Sequence, residues 1–438
     1  MAEERKTRVQ TIESQLRQLH QQRISDLIFD RQLRDLDIAA SLLKDDALAN
    51  DPNVVKVVDN RPQVFWDWFV AVLSNEPFKW RVPYSPIDAE QSSLPEQSLA
   101  EKLERLCYGI SSAANDWLMS STGLMDSWDY RLALQVVSGS IAAFPDVIKL
   151  SDDTTLFTLE FWDPAQVLWL PGKMGMRYVI RSYEDTLASV ATYAEIEKYQ
   201  SRKGENRPDR SGLEAIVKCH DFWELRKDGD GYAVFNSLEV DGQELRPYAK
   251  VGDFEQIPGV FGSVAGRGNE AEAASKRTAY NGRSVLAPVR RSILQQNSNS
   301  TLFHEHYRKA AVDSWVEKTR GAESRVDSKQ LAPGKATKVT MEIGESLEQV
   351  PVRQAPFDVG KQLELDRQEN ELGTVPNAAF GQNSPQFASG LLASYLEHNQ
   401  NMRLGPYVNA YNEAGKRIMQ QWIRKLRAMK LQVKLSGE

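Results

Sequence analysis

Thr154-Thr-Leu-Phe-Thr-Leu-Glu-Phe161 is where this chain stops reading as helix. The same character returns in Gln166-Val-Leu-Trp-Leu170 and Met176-Arg-Tyr-Val-Ile-Arg181, with Asp163-Pro164 and Pro171-Gly172 between them. Apolar residues that alternate or run briefly, punctuated by Pro and Gly, predict strands joined by turns. A second β-rich island follows. Ala215 to Leu225 and Tyr232 to Val240 flank Asp228-Gly229-Asp230-Gly231, a strong hairpin signal. A Gly-rich loop from Gly259 to Gly268 is expected to close the island.

Upstream, residues 3 to 47 read as helix. Val9, Ile12, Leu16, Leu19, Ile24, Leu27 and Ile28 recur at three- and four-residue spacing, and Asp51-Pro52 ends the pattern. Another helix opens after Asn60-Arg61-Pro62, with Pro near its first turn. It is rich in aromatics (Phe65, Trp66, Trp68, Phe69) and stops at Asn75-Glu76-Pro77. Helices are predicted over 99 to 119, 129 to 138 and 184 to 199, then a polar linker over 203 to 212. A long helical candidate spans Ser284 to Glu317, with Pro288 in its first turn. After a linker at 321 to 334 come a strand over 335 to 343, an amphipathic helix over 357 to 372 and a final helix from Gln386 to about Leu431. Gly405-Pro406 divides that last helix, so a kink or break is expected there. The fold class is α+β, multi-domain and predominantly helical with small sheets.

At 438 residues the chain is long enough for several cores. Hydrophobic content of 41% and charged content of 26% fit a globular protein. Its longest apolar runs are too short and too interrupted to span a bilayer, and the charged start lacks a signal-peptide core. Cys107 and Cys219 are read as buried small hydrophobes, not as a redox pair. With a net charge of −6 the chain is not built to hold phosphate tightly, because that affinity comes from Lys and Arg releasing counterions.

No catalytic or metal residue set emerges. Asp228, Gly229, Asp230 and Gly231 suggest a calcium loop, but Tyr232 stands where the next oxygen ligand belongs, so they are read as a hairpin turn. Gly262 to Gly268 lacks the ending of a nucleotide-binding P-loop. His304 and His306 lie two apart, and a helix points such residues away from each other. Most of the ten tryptophans sit inside apolar runs and are expected to pack.

More telling is the seam on the 284–317 helix. Leu286, Val289, Ile293, Gln296, Ser300, Phe303, Tyr307 and Ala310 alternate spacings of three and four around a polar middle, Gln295-Gln-Asn-Ser-Asn-Ser300. So narrow a stripe suits a helix packed side by side against neighbours, with its other face wet. Leu286, Val289, Ile293, Phe303 and Tyr307 are the subunit-interface candidates, and Arg290, Arg291, Arg308 and Lys309 give the helix basic ends.

Taken in order, these pieces resemble the portal proteins of tailed bacteriophages. The marks are Asp163-Pro164 with Val167-Leu-Trp169 and Tyr178-Val-Ile-Arg181, the β island, the helix near Ser284, Glu345 to Gly381 with Val375-Pro-Asn-Ala-Ala-Phe-Gly381, and Ser389-Gly390. The resemblance implies a wing over residues 1 to 182, a first stem helix over 183 to 203 and a β-rich clip over 204 to 275. A second stem helix over 276 to 320, a wing return with tunnel loop over 321 to 384, and a crown over 385 to 438 complete it. It further implies a ring of twelve copies at one capsid vertex of the virion, assembled in the host cytoplasm. Double-stranded DNA would pass through it, without sequence specificity, during packaging, retention and ejection.

The implied partners are the terminase large subunit, the major capsid or scaffolding protein and a neck or adaptor protein, with no membrane, no cofactor and no enzymatic activity. Arg353 and Gln354 would touch DNA from the tunnel loop, and Arg290, Arg291, Arg308 and Lys309 from the stem. Two other readings stand beside it: a phage connector or minor head protein, and a carbohydrate-active enzyme using the Trp content.

Overall fold

The computed structural model describes residues 2–36, 54–75, 77–82, 95–150, 155–191, 195, 216–229, 231–252, 254, 256–264, 282–311, 314–318, 346–350, 360–361, 364–365 and 390–430. The helices are α1 (Ala2–Arg34), α2 (Arg61–Ser74), α3 (Pro95–Thr122), α4 (Trp128–Val137), α5 (Leu187–Val190), α6 (Arg290–Ala311) and α7 (Gly390–Ala428). The strands are β1 (Ser140–Lys149), β2 (Thr155–Phe161), β3 (Val167–Gly172), β4 (Gly175–Thr186), β5 (Ile216–Asp228), β6 (Gly231–Val240), β7 (Gln243–Lys250), β8 (Val260–Ser263), β9 (Ser314–Lys318) and β10 (Ser346–Val350). Helix and sheet are mixed as an α+β protein.

The chain divides into two compact units. The first takes residues 1–29, 67–285 and 398–438, and the second residues 30–66 and 286–397. In the first unit, β3 to β7 form a five-stranded sheet in sequence order, and β2-β1-β8 form a three-stranded one. All the pairings are antiparallel. Side-chain alternation assigns the faces of the larger sheet. Leu168, Tyr178, Ile180 and Phe222 point at α1 and meet Leu16. Val167, Trp169, Val179, Leu225 and Val234 point the other way, onto Ala142 and Phe144 of β1 and Phe261 of β8. The smaller sheet is covered in turn by helices: α3 packs on β2 and α4 on β1, while the Trp422 indole of α7 donates to the Thr158 carbonyl at 3.0 Å.

Strand β1 carries Pro145, which sequence logic places outside a sheet interior. Its pairing with β8 ends at Ala143, whereas its pairing with β2 continues through Pro145 to Lys149. Pro145 thus lies where β1 has a single neighbour, and a missing N–H costs no ladder bond on the open side. Where β8 runs on past Ser263 the backbones press together. A Cβ built on Gly282 would stand 1.7 Å from the Gly139 carbonyl oxygen, and Gly139 itself has a φ of +88°. Only glycine allows that approach and that dihedral.

Several expectations are corrected. Within the clip expected over 204 to 275, β5 pairs with β4 from Tyr178↔Glu224 to Thr186↔Ile216, so the described β island continues the sheet begun by β3. The first stem helix over 183 to 203 opens instead as strand, because β4 runs to Thr186 and only Leu187–Val190 is helical before the described chain breaks off. The Gly259–Gly268 loop contains β8, whose four residues complete the smaller sheet. The helix expected over Ser284 to Glu317 begins only at Arg290, after Pro288, and residues 314 to 318 are strand β9 paired with β10.

The region expected as the crown carries part of the first unit's core. Tyr407, Tyr411, Ile418, Trp422 and Leu426 of α7 are buried, and residues 398–438 belong to the first unit. Helix α7 also continues through Pro406 without the expected break. Pro406 removes one hydrogen bond from the helix, while the aromatic anchors that follow it tie the helix down: Tyr407 lies against Phe69 and Tyr411 against Phe78. The strand expected over 335 to 343 lies outside the described residues.

Candidate functional site

Helix α6 is the element on which the sequence reading placed both assembly and DNA contact. Its buried face is polar. Val55 N–H donates to Glu305 Oε1 at 3.2 Å, Val57 N–H to Thr301 Oγ1 at 3.0 Å and Asp59 N–H to Asn297 Oδ1 at 3.0 Å. Every second residue of an extended segment therefore meets every fourth residue of a helix. The match is geometric: two extended residues advance about 6.6 Å and four helical ones about 6.0 Å. Three helix side chains thus do for residues 55–59 what a neighbouring strand would do. Gln296 adds a bond to Asp59 Oδ2 at 2.7 Å. The polar middle of the seam is explained by this segment of the same chain, which sequence spacing did not reveal.

The five interface candidates separate accordingly. Leu286, Val289 and Ile293 are buried within the chain and are corrected: they belong to its own core and are closed to a partner. Phe303 is half-buried, and its ring lies 4.8 Å from that of Tyr307, which is 61% exposed. Leu302 is 48% exposed beside them. Among its described side chains, α6 leaves Tyr307 and Leu302 exposed, with half-buried Phe303 one helical turn from Tyr307.

The cationic candidates separate too. Arg290 donates Nε and Nη2 to Asp30 Oδ1 and Oδ2, each at 2.6 Å, and Asp30 is 1% exposed. Its guanidinium is committed to a buried carboxylate, so the stem-contact reading of Arg290 is corrected to a structural one. Arg291 is exposed. The side chains of Arg308 and Lys309, like the whole of Arg353 and Gln354, lie outside the described residues. Asp228 pairs with Gly231, closing a two-residue turn in which Gly229 takes a φ of +61°; Asp230 lies outside the described residues.

A cleft of about 910 Å³ in the first unit, lined by Glu13, Arg17, Tyr183, Cys219 and His220 among others, is the place to look for chemistry. Cys219 and His220 are adjacent in β5, so alternation sends them to opposite faces. Cys219 packs with Val217, Leu238 and Val240, and burial pushes its thiol up to about 11, away from the thiolate a nucleophile needs. His220 Nε2 meets Glu13 Oε2 at 2.9 Å. Burial disfavours its imidazolium, but the hydrogen bond and charge of Glu13 outweigh burial and hold the pKa above the usual value. Glu13, hydrogen-bonded by His220 and by Arg17, is held down near 2 despite burial. The pair is an ion-paired clasp between α1 and the sheet.

A second clasp is more deeply buried. Arg23 donates Nη1 to the Pro164 carbonyl at 2.7 Å, Nη2 to the Val167 carbonyl at 2.6 Å and Nε to His20 Nδ1 at 2.9 Å. Because arginine only donates, His20 Nδ1 must be the acceptor. Its proton then sits on Nε2, which donates to the Trp169 carbonyl at 2.8 Å. Burial first, then the Arg23 charge, lower the His20 pKa to about 3, so the ring is neutral. No signal in sequence spacing could have joined residues so far apart.

Cys107 and Cys219 are both free and buried, and Trp66, Trp128, Trp162, Trp169 and Trp422 are buried as well. Among the described residues no group of His, Cys, Asp or Glu is arranged to hold a metal, and no helix is long and apolar enough to cross a membrane. No model of a known protein family matches the chain, and no curated protein is significantly similar to it.

Proposed function

We propose that the chain is a structural subunit of the portal type, joining copies of itself into a ring that passes double-stranded DNA at a capsid vertex. The observation that carries this reading is the exposed apolar flank of α6 at Leu302 and Tyr307. One face of a 22-residue helix is occupied by the chain's own residues 55–59, while Phe303 and Tyr307, with Leu302, remain on its other flank. Surface of this kind on an otherwise polar helix calls for a cover, and a second copy meeting it head to tail repeats the contact until the ring closes. The order of elements along the chain supports the same reading, although the continuous sheet from β3 to β7 removes the outward β excursion as a support.

That continuous sheet favours the second reading, a phage connector or minor head protein, which also assembles but has no clip between two stem helices. Negative-stain imaging and light scattering of the full chain test the common claim, and rings are the expected result. A chain that stays monomeric under every assembly condition overturns both. Capture of the terminase large subunit by the ring then separates a portal from a connector that docks only onto a preformed one.

A further inference from the structure

The two hairpin tips at one end of the larger sheet, β3–β4 and β5–β6, border a groove of about 490 Å³ with an unusual charge balance. Its lining carries Arg8, Lys173, Arg177, Arg226 and Lys227 against a single acid, Glu224. Glu224 is already satisfied: Arg8 Nη2 donates to Oε1 at 2.5 Å and the Tyr248 hydroxyl to Oε2 at 2.7 Å. Asp228, at the edge of the groove, is ion-paired with Lys250. Among the described residues, no carboxylate ion-pairs with Lys173, Arg177, Arg226 or Lys227. In a chain of net charge −6 these four exposed cations are a local excess that composition does not account for.

We infer that this groove is a binding site for the phosphate backbone of duplex nucleic acid. The cations are spread along both tips instead of converging on one enclosed point, which suits a line of phosphates better than one small anion. Charged side chains outnumber the apolar Met174, Leu225 and Tyr232 in the lining, which disfavours an apolar peptide. Two of these cations and the β3–β4 turn also have contacts of their own before any ligand arrives. Arg226 lies over the Phe235 ring and Arg177 over the Tyr178 ring, each at 5.3 Å. Gln256 donates to the Met174 carbonyl in the β3–β4 turn and accepts from Arg424. Guanidiniums set in this way lose little freedom on meeting phosphate.

The site lies within one unit of one chain, so it does not depend on ring formation, and failure of one proposal leaves the other standing. The test is fluorescence anisotropy of the full chain with a labelled random-sequence duplex across a salt series. Four neutralised phosphates give a log–log slope of about −3.6. The combined variant K173A/R177A/R226A/K227A is expected to flatten that slope towards zero, while R177K/R226K, which keeps the charges, retains most of it. The inference is overturned if the four-alanine variant binds with the wild-type slope. It is also overturned if polyglutamate competes as well as unlabelled duplex, which would mark a site for acidic peptide, or if tripolyphosphate alone displaces the duplex at matched charge, which would mark a small-anion pocket.

Discussion

Arg290 and Asp30, 260 positions apart in the chain, are joined by two parallel hydrogen bonds of 2.6 Å from one guanidinium to one carboxylate. The carboxylate is fully buried and the guanidinium largely so. Removing one partner therefore strands a charge. D30A is expected to destabilise the second unit by about 3–5 kcal/mol, whereas a double replacement by apolar residues of similar volume, D30L/R290M, should cost far less. Denaturant unfolding of the two variants checks this, and a double variant no better than the single one would show that the pair stabilises beyond its own desolvation.

Helix α6 offers a contrast between two residues about four turns apart. Ile293 is buried, and I293A is expected to cost about 2–5 kcal/mol by leaving a cavity. Tyr307 is exposed, so Y307S should change stability by less than about 1 kcal/mol while lowering the ring fraction several-fold. Thermal unfolding and light scattering on the same samples separate the two effects. Equal ring content in Y307S and wild type would remove Tyr307 from the interface.

The Glu13–His220 clasp has a pH window with a definite sign. His220 is raised above 6.5 in the folded chain, so its contribution is full below 6.5 and fades as pH rises through the folded value. Glu13 is lowered from 4.5 to about 2, so its contribution is full above 4.5 and fades as pH falls through about 2. The pair stabilises most between 4.5 and 6.5. The loss in H220Q relative to wild type is expected to be about 1–2 kcal/mol at pH 5.5 and distinctly smaller at pH 9. A difference that grows with pH would contradict the assignment.

Arg23 satisfies three acceptors on two segments from a nearly inaccessible position. R23M leaves those acceptors buried without donors and is expected to cost about 3 kcal/mol or more. R23K should recover little, since one ammonium on a flexible stem cannot span the fork. Full rescue by lysine in a thermal melt would mean that charge, not geometry, holds α1 to the β3 entry.

The legible parts of this protein were those with a local cause. The apolar runs read at 154–161, 166–170 and 176–181 fall on strands β2, β3 and β4, the chain turns at Gly229, and Arg61-Pro62 opens a helix, because each depends on neighbours within a few residues. Strand β1 was not legible. Pro145 argues against it locally, and only the short pairing with β8 explains why it is tolerated. The stem reading of 183–203 failed at its start for a related reason: Tyr183 to Thr186 become strand because β5 supplies the partner, and a helical pattern in sequence is silent about partners.

Composition, period and turn chemistry by themselves determined that the chain is α+β, where most elements lie, and that its two thiols and tryptophans such as Trp66, Trp128, Trp162 and Trp169 pack inward. Tertiary structure alone decided that the β island extends an existing sheet and that α6 spends its polar face on residues 55–59. It alone decided too that Arg290 serves Asp30 while four other cations are left at the hairpin tips. The division follows from range. Backbone preference and amphipathic period act over a few residues, whereas hydrogen-bond satisfaction and charge pairing depend on which distant segments folding brings within 3 Å.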